Sequence, residues 1–302
     1  MDFKELIEMP LPALIAKADA VRREAGIRSV EPCSIINAKS GQCAEDCAFC
    51  AQSAHHHVDI KTYPLVSEDE LFTAAAQAHA EGAKRFGIVT SGNRLTAHEI
   101  DVLCAAIQRM RTELEMGVCG SLGAMTKENL IRLRDAGMSR YHHNIETSRR
   151  YYAEIVTTHT FEERIATIRD AQSVGLEICS GGIIGMGETW DDRIDMAVTL
   201  RNLHVEAVPL NILIPIPGTR FADIKRISAA DVVRTIAIFR IIMKTTGIKI
   251  IAGRDSSFKD FQALGYLAGA DGMMVGGYLT TGGRPVADDR TLMREVDAMW
   301  AA

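Results

Sequence analysis

Lys84-Arg-Phe-Gly-Ile-Val-Thr90 reads as a short apolar strand. Thr96-Ala-His-Glu-Ile-Asp-Val-Leu-Cys-Ala-Ala-Ile-Gln-Arg-Met-Arg-Thr112 follows it with amphipathic, helical patterning. Glu115-Met-Gly-Val-Cys119 is short and apolar again. Strand, helix and strand in this order make parallel strands joined by helical crossovers. The unit recurs outward in both directions. Strands are expected over 30–36, 84–90, 115–119, 139–144, 176–180, 208–214, 249–252 and 272–275. Helices are expected over 68–81, 96–112, 127–136, 161–173, 190–203, 229–244 and 258–268. Ser67 ahead of Glu70, and Thr126 ahead of Asn129, are helix-start signals, while Gly82, Gly137, Gly175 and Gly269 are stops. Such a repeat fits an α/β chain folded as a (β/α)8 TIM-type barrel. It would be a single domain over 1–302, with 1–28 as an N-terminal helical extension. An open doubly wound sheet is the alternative that periodicity does not separate.

Composition narrows the setting. The 302 residues are 47% hydrophobic and 24% charged, ordinary for a globular protein whose core needs no staples. A net charge of −5 gives no electrostatic case for nucleic acid or an anionic membrane. No apolar run reaches the roughly 18 residues of a membrane span, and the N-terminal stretch lacks signal-peptide patterning. The expected compartment is the cytoplasm. Seven cysteines there are ligands, nucleophiles or buried thiols rather than disulfides.

Three of them lie in Ser40-Gly-Gln-Cys43-Ala-Glu-Asp-Cys47-Ala-Phe-Cys50-Ala-Gln-Ser53, just after the first expected strand. In a barrel that end of a strand carries the chemistry. Three thiolates spaced Cys-x3-Cys-x2-Cys can hold three irons of a four-iron cubane. The fourth iron then has no cysteine in the motif, which suits a catalytic centre. The other reading is a zinc knuckle completed by His55, His56 or His57, although zinc sites usually pair cysteines as Cys-x2-Cys.

The spacing is the motif of the radical S-adenosylmethionine enzymes, and the chain resembles the biotin synthase family over most of its length. The resemblance rests on the cysteine loop with its following Gln52-Ser-Ala54 and on Tyr141-His-His-Asn-Ile-Glu-Thr-Ser148. It continues through Ile178-Cys-Ser-Gly-Gly-Ile-Ile-Gly-Met-Gly-Glu-Thr189, Val208-Pro-Leu-Asn211, Pro217-Gly-Thr219, Ala252-Gly-Arg254 and Leu279-Thr-Thr281. It implies a 4Fe-4S cluster on Cys43, Cys47 and Cys50 that cleaves S-adenosylmethionine to a 5′-deoxyadenosyl radical. Phe49 would lie beside the adenine, Glu146 would accept from the ribose, and Arg164 would meet the carboxylate. The implied reaction is sulfur insertion into dethiobiotin to give biotin. The implied partners are dethiobiotin, an electron donor such as flavodoxin or ferredoxin, and a second copy in a homodimer.

Strand alternation puts His142, Asn144 and Glu146 on one face. If that face is inward, it offers a cyclic urea donors and acceptors. His142, Asn144 and Asn211 are the candidate substrate contacts, with Asn144 and Asn211 also able to meet the nucleoside. A satisfied core hydrogen bond is the plain alternative for His142 and Asn144. A helix-surface ion pair with Glu162 or Asp170 is the alternative for Arg164. The run Gly181–Gly187 reads either as a close backbone approach to the nucleoside or as a tight turn.

One part departs from the family. Its second iron–sulfur cluster, the sulfur source, usually has three cysteines and an arginine as ligands. Cys119 and Cys179 match, but Gly87 and Lys249 stand at the other two places. Cys33, on the first expected strand, offers a third thiol. Inward side chains of alternate strands share a layer in such a barrel. Cys33, Cys119 and Cys179 are therefore expected to form an auxiliary iron–sulfur site of four-iron type, with Lys249 or Arg254 balancing its charge. The alternative is three buried apolar thiols, as expected for the helical Cys104. Two other functions compete: a related radical enzyme (a hydrogenase maturase or methylornithine-type mutase), and a non-enzymatic metal or redox sensor.

Overall fold

The computed structural model describes residues 3–280 and 282–301. Its strands are β1 (Glu31–Lys39), β2 (Arg85–Thr90), β3 (Gly117–Ser121), β4 (Arg140–His142), β5 (Glu177–Cys179), β6 (Gly182–Ile184), β7 (Ala207–Ile212), β8 (Gly247–Ile250) and β9 (Gly272–Met274). All neighbouring pairs are parallel. The order runs β5-β4-β3-β2-β1-β9-β8-β7-β6, and β5 also pairs with β7, which closes the sheet. The two pieces β5 and β6 occupy one barrel position, so this is a closed eight-position TIM-type barrel. The open doubly wound alternative is excluded.

The break between β5 and β6 has a steric cause. A Cβ at Gly181 would meet the Pro209 carbonyl oxygen at 2.0 Å, and one at Gly182 would meet that of Glu146 at 2.2 Å. Two glycines let neighbouring backbones close in at this corner, at the cost of regular pairing.

Helices sheathe the barrel. Capping boxes at Ser67, Thr96, Thr160 and Thr189 start four of them, each hydroxyl accepting from the backbone three residues on. The helices Phe3–Glu8 and Leu11–Glu24 pack on Ala229–Met243, from which Arg234 donates to the Ile7 and Met9 carbonyls at 2.9 and 2.7 Å. Several sequence expectations shift. The first strand runs three residues further than expected. The third starts at Gly117, because Glu115 takes a left-handed φ of 52° that ends the preceding helix. The fourth stops at His142. Arg254–Leu267 forms three short turns rather than one helix over 258–268. A terminal helix, Val286–Ala301, was not expected. It buries Val296 and Trp300, with the Arg22 guanidinium 4.3 Å from the Trp300 ring centre. No helix among the described residues is long and apolar enough to cross a membrane.

Candidate active site at the mouth and floor of the barrel

The cysteine loop leaves the C-terminal end of β1 and folds back on itself. The Cys43 amide donates to the Gln52 carbonyl at 3.1 Å, and Ala54 donates to the Cys43 carbonyl at 2.8 Å. Left-handed φ values at Gly41 and Gln42 make the turn into it. A strap after the helix Tyr152–Ile155 clamps its outer side. Asp46 accepts from the Thr157 amide at 2.8 Å, and Ala48 donates to the Ile155 carbonyl at 2.8 Å.

Cys43, Cys47 and Cys50 line one cavity of about 180 Å³ with Phe49, Ser121, His142, Asn144, Glu146, His159 and Arg164. A second, of about 220 Å³, runs down the barrel axis and holds Cys33, Cys119 and Cys179. Phe49, Ser121, His142, Asn144 and Glu146 line both, so the two spaces adjoin through that wall.

The polar wall is firmly built. Glu146 sits at a positive φ of 65° where the chain leaves β4. Burial raises the pKa of its carboxyl although Arg164 lies 3.8 Å away. The Asn144 side-chain oxygen accepts from the Gly181 amide at 3.0 Å. Asn211 donates to the Gly182 carbonyl and accepts from the Ala252 amide, each at 3.3 Å. Both asparagines thus lock β5 and β6 while facing the axial cavity. Burial pushes His142 down to about 4, so its imidazole is neutral at pH 7. Arg164 is not in a helix-surface pair; Glu162 pairs with Arg149 instead. Its guanidinium turns inward, donating to the Tyr152 hydroxyl at 2.8 Å and the Asn144 carbonyl at 3.0 Å.

Below the second set of thiols lies a ring of charge absent from the sequence reading. Glu31 meets Lys249 at 3.0 Å and Arg85 at 3.4 Å, while Glu177 meets Arg85 at 3.1 Å and Arg140 at 2.8 Å. Arg85, Arg140 and Lys249 line the axial cavity with the thiols. Burial raises the pKa of Cys33, Cys119 and Cys179. Burial alone would lower Lys249, yet Cys33, Glu31 and Cys179 hold its ammonium above the usual range. The sequence signalled only that a cation inside an apolar strand needs a partner, not which residue supplies it.

One expectation is corrected. Arg254 does not line the cavity of the thiols but sits in a buried pair with Asp289 at 2.9 Å. Gly185 and Gly187 form a tight turn after β6, both at positive φ. Glu188 closes it by accepting from the Gly185 and Met186 amides at 2.8 and 2.7 Å. Ile227 and the Tyr151 hydroxyl pack where Cβ atoms would stand at those two glycines. Two of the three histidines of the zinc reading bond backbone carbonyls of the cysteine loop. His55 bonds the Ala44 carbonyl at 3.0 Å and His56 the Cys50 carbonyl at 2.8 Å. Cys104 lies on the helix Ala97–Leu114. Tyr278 and Leu279 line the axial cavity, whereas Thr281 lies outside the described residues. His143, His159, Ser121 and Tyr278 are site residues that the sequence reading missed.

The donor set suits a cluster better than a single ion. Among the described residues, no three His, Cys, Asp or Glu side chains converge as one metal ion requires. A cubane gives each thiolate its own iron and needs no such convergence. The neighbouring wall supplies a cation, a buried carboxyl, amides and an aromatic ring, which match the groups of S-adenosylmethionine.

Comparison with known proteins agrees. Residues 39–200 match the radical SAM superfamily, and residues 209–298 match the Biotin and Thiamin Synthesis associated domain. The chain is a radical S-adenosylmethionine enzyme. Biotin synthase of Thermotoga petrophila is 46% identical over 97% of this chain and 97% of its own length. Biotin synthase of Heliobacterium modesticaldum is 47% identical over 94% of this chain and 87% of its own. The chain belongs to the biotin synthase family. The fold is shared more widely. Methylornithine synthase superposes with a TM-score of 0.83 at 18% identity over 99% of this chain and 91% of its own. The hydrogenase maturase HydG of Carboxydothermus hydrogenoformans gives 0.81 at 16% identity over 97% and 76%.

Proposed function

We propose that this chain inserts sulfur into dethiobiotin to make biotin, with a radical-generating cluster at the mouth and an auxiliary iron–sulfur cluster at the floor. The observation that carries this is the pair of adjoining cavities. One is rimmed by Cys43, Cys47 and Cys50, and the other is floored by Cys33, Cys119 and Cys179. When bound, the first cluster and S-adenosylmethionine supply a 5′-deoxyadenosyl radical, and the second cluster supplies sulfur.

The chain's own residues do the positioning. Arg164 meets the carboxylate of S-adenosylmethionine, Glu146 accepts from its ribose, and Phe49 covers its adenine. Asn144 can also touch the nucleoside. His142, Asn144 and Asn211 present donors and acceptors to the cyclic urea. The two asparagines' hold on the β5–β6 corner fixes them in advance, so little entropy is lost when the substrate docks. The apolar barrel wall keeps water from the reacting carbons.

At the floor, Cys33 supplies the third thiol that Gly87 does not, and the auxiliary cluster is of four-iron type. Lys249, Arg140 and Arg85 offset its negative charge. The chain acts as a single domain over 1–302, with 1–28 as a helical extension. It works in the cytoplasm as a homodimer and takes electrons from a flavodoxin or ferredoxin.

Anaerobic incubation with dethiobiotin, reductant and S-adenosylmethionine tests the function. Biotin detected by mass spectrometry is the expected product. Deoxyadenosine without biotin would overturn the assignment in favour of a related radical enzyme. Iron and sulfide analysis of a Cys43/Cys47/Cys50→Ala variant tests the floor site, which should still load a cluster.

A further inference from the structure

The strap from Val156 to Thr160 touches the cysteine loop and the cofactor wall at once. On the loop side, Glu45 lies between Cys43 and Cys47. Its carboxylate accepts from His159 Nδ1 at 2.8 Å and from the Thr158 hydroxyl. On the wall side, His159 Nε2 lies 3.1 Å from Arg164 Nη2. Only an N–H can face a carboxylate, and only a lone pair can face a guanidinium N–H. His159 is therefore a neutral imidazole with its proton on Nδ1. Burial, then the neighbouring Arg164, hold its pKa below the usual range, in keeping with that tautomer.

Arg164 has five N–H donors. Tyr152, Asn144 and His159 take one from each nitrogen. Among the described partners, one N–H on each terminal nitrogen stays unspent. That pair is what grips a carboxylate in two-point fashion. Without the His159 contact, nothing in the strap would hold Nη2. The guanidinium could then swing toward Glu146, 3.8 Å away, and spend the pair there.

We propose that His159 is a positioning residue that keeps Arg164 open for the carboxylate of S-adenosylmethionine, and that Glu45 ties this arrangement to the cysteine loop. The inference rests on the reading of Arg164 given above. Two amide variants separate the halves of the relay. His159→Gln carries an oxygen near the Nε2 position and keeps an acceptor for Arg164. His159→Asn carries its NH2 near the Nδ1 position, keeping the bond to Glu45 and losing the one to Arg164.

The test is equilibrium binding of S-adenosylmethionine to anaerobically reconstituted enzyme, expressed per loaded cluster from iron content. His159→Asn should weaken binding about tenfold or more, the usual scale for losing a hydrogen bond to a charged group. His159→Gln should stay within about threefold of the parent. The reduced cluster's electron paramagnetic resonance signal should respond to S-adenosylmethionine at low concentration in the Gln variant, but only at high concentration in the Asn variant. Equal affinities for the parent and His159→Asn would overturn the proposal, as would equal weakening in both variants. Arg164→Gln is the control on the underlying reading. If it binds as tightly as the parent, the assignment of Arg164 itself fails. If it binds weakly while His159→Asn does not, only the role of His159 fails.

Discussion

The mouth and the floor of this barrel each hold three cysteines, but they are built in opposite ways. At the mouth the thiols come from eight consecutive residues, 43–50, on one loop that a strap clamps from outside. At the floor they come from β1, β3 and β5, and only the sheet register brings them together. A loop motif fixes its ligands by local chain geometry and tolerates change elsewhere. A site assembled from strands depends on every neighbour in the layer. The floor also carries a ring of ion pairs, with Arg85, Arg140 and Lys249 set against Glu31 and Glu177. The mouth has one inward cation, Arg164, which the wall already holds.

That contrast breaks first if the mouth is removed. Cys47→Ala should abolish reductive cleavage of S-adenosylmethionine, a fall to background of at least about 10⁶-fold because the group supplying the chemistry is gone. Floor iron should persist. Chromatography of deoxyadenosine beside iron analysis reads both, and loss of all iron would mean that the sites are not independent. The converse comes next. Cys119→Ala should leave deoxyadenosine formation within about tenfold of the parent while biotin falls below detection. If biotin persists, sulfur does not come from the floor.

The difference in build also decides what sequence could show. The mouth was legible because its ligands adjoin in the chain, and the barrel because strand and helix alternate from Glu31 onward. Floor thiols were reachable through the rule that alternate strands share a layer. The charge ring was not, since pairing Lys249 with Glu31 requires knowing that β8 and β1 both flank β9. His159 was missed because a strap between two helices carries no periodicity. The helix Val286–Ala301 was missed despite apolar Val286, Leu292, Met293, Val296 and Trp300 at helical spacing. The inward turn of Arg164 was reachable only through the family resemblance, because its partners Tyr152 and Asn144 stand on separate elements.

Smaller effects sharpen the comparison at the floor. Lys249→Met keeps the length of the side chain but removes a charged hydrogen bond to Glu31. Glu31 is 40% exposed and retains Arg85, so solvent should absorb part of the loss. Stability measured by chemical denaturation should fall by about 1–2 kcal/mol. Floor iron should fall as well, with mouth iron unchanged. An unchanged floor occupancy would show that Arg85 and Arg140 suffice.

The mildest change reinstates a thiol at the position that the family pattern expects to hold one. A Cβ at Gly87 would stand 2.9 Å from the Ile35 methyl Cγ2, and Gly87 is in register with both Ile35 and Cys119. The crowding comes from one side-chain methyl, borne on the branched Cβ, and not from backbone. Gly87→Cys should therefore cost only roughly 1 kcal/mol, the low end for overpacking. Ile35→Val keeps Cγ2 and should relieve little, whereas Ile35→Ala in the same chain should recover most of the loss. The two positions touch, so the double variant should be non-additive. Denaturation midpoints of the singles and the double close that cycle. Strict additivity would mean that Ile35 does not fill the space left by the missing side chain. The floor would then differ from the family pattern by ligand exchange alone, without the repacking of β1 against β2.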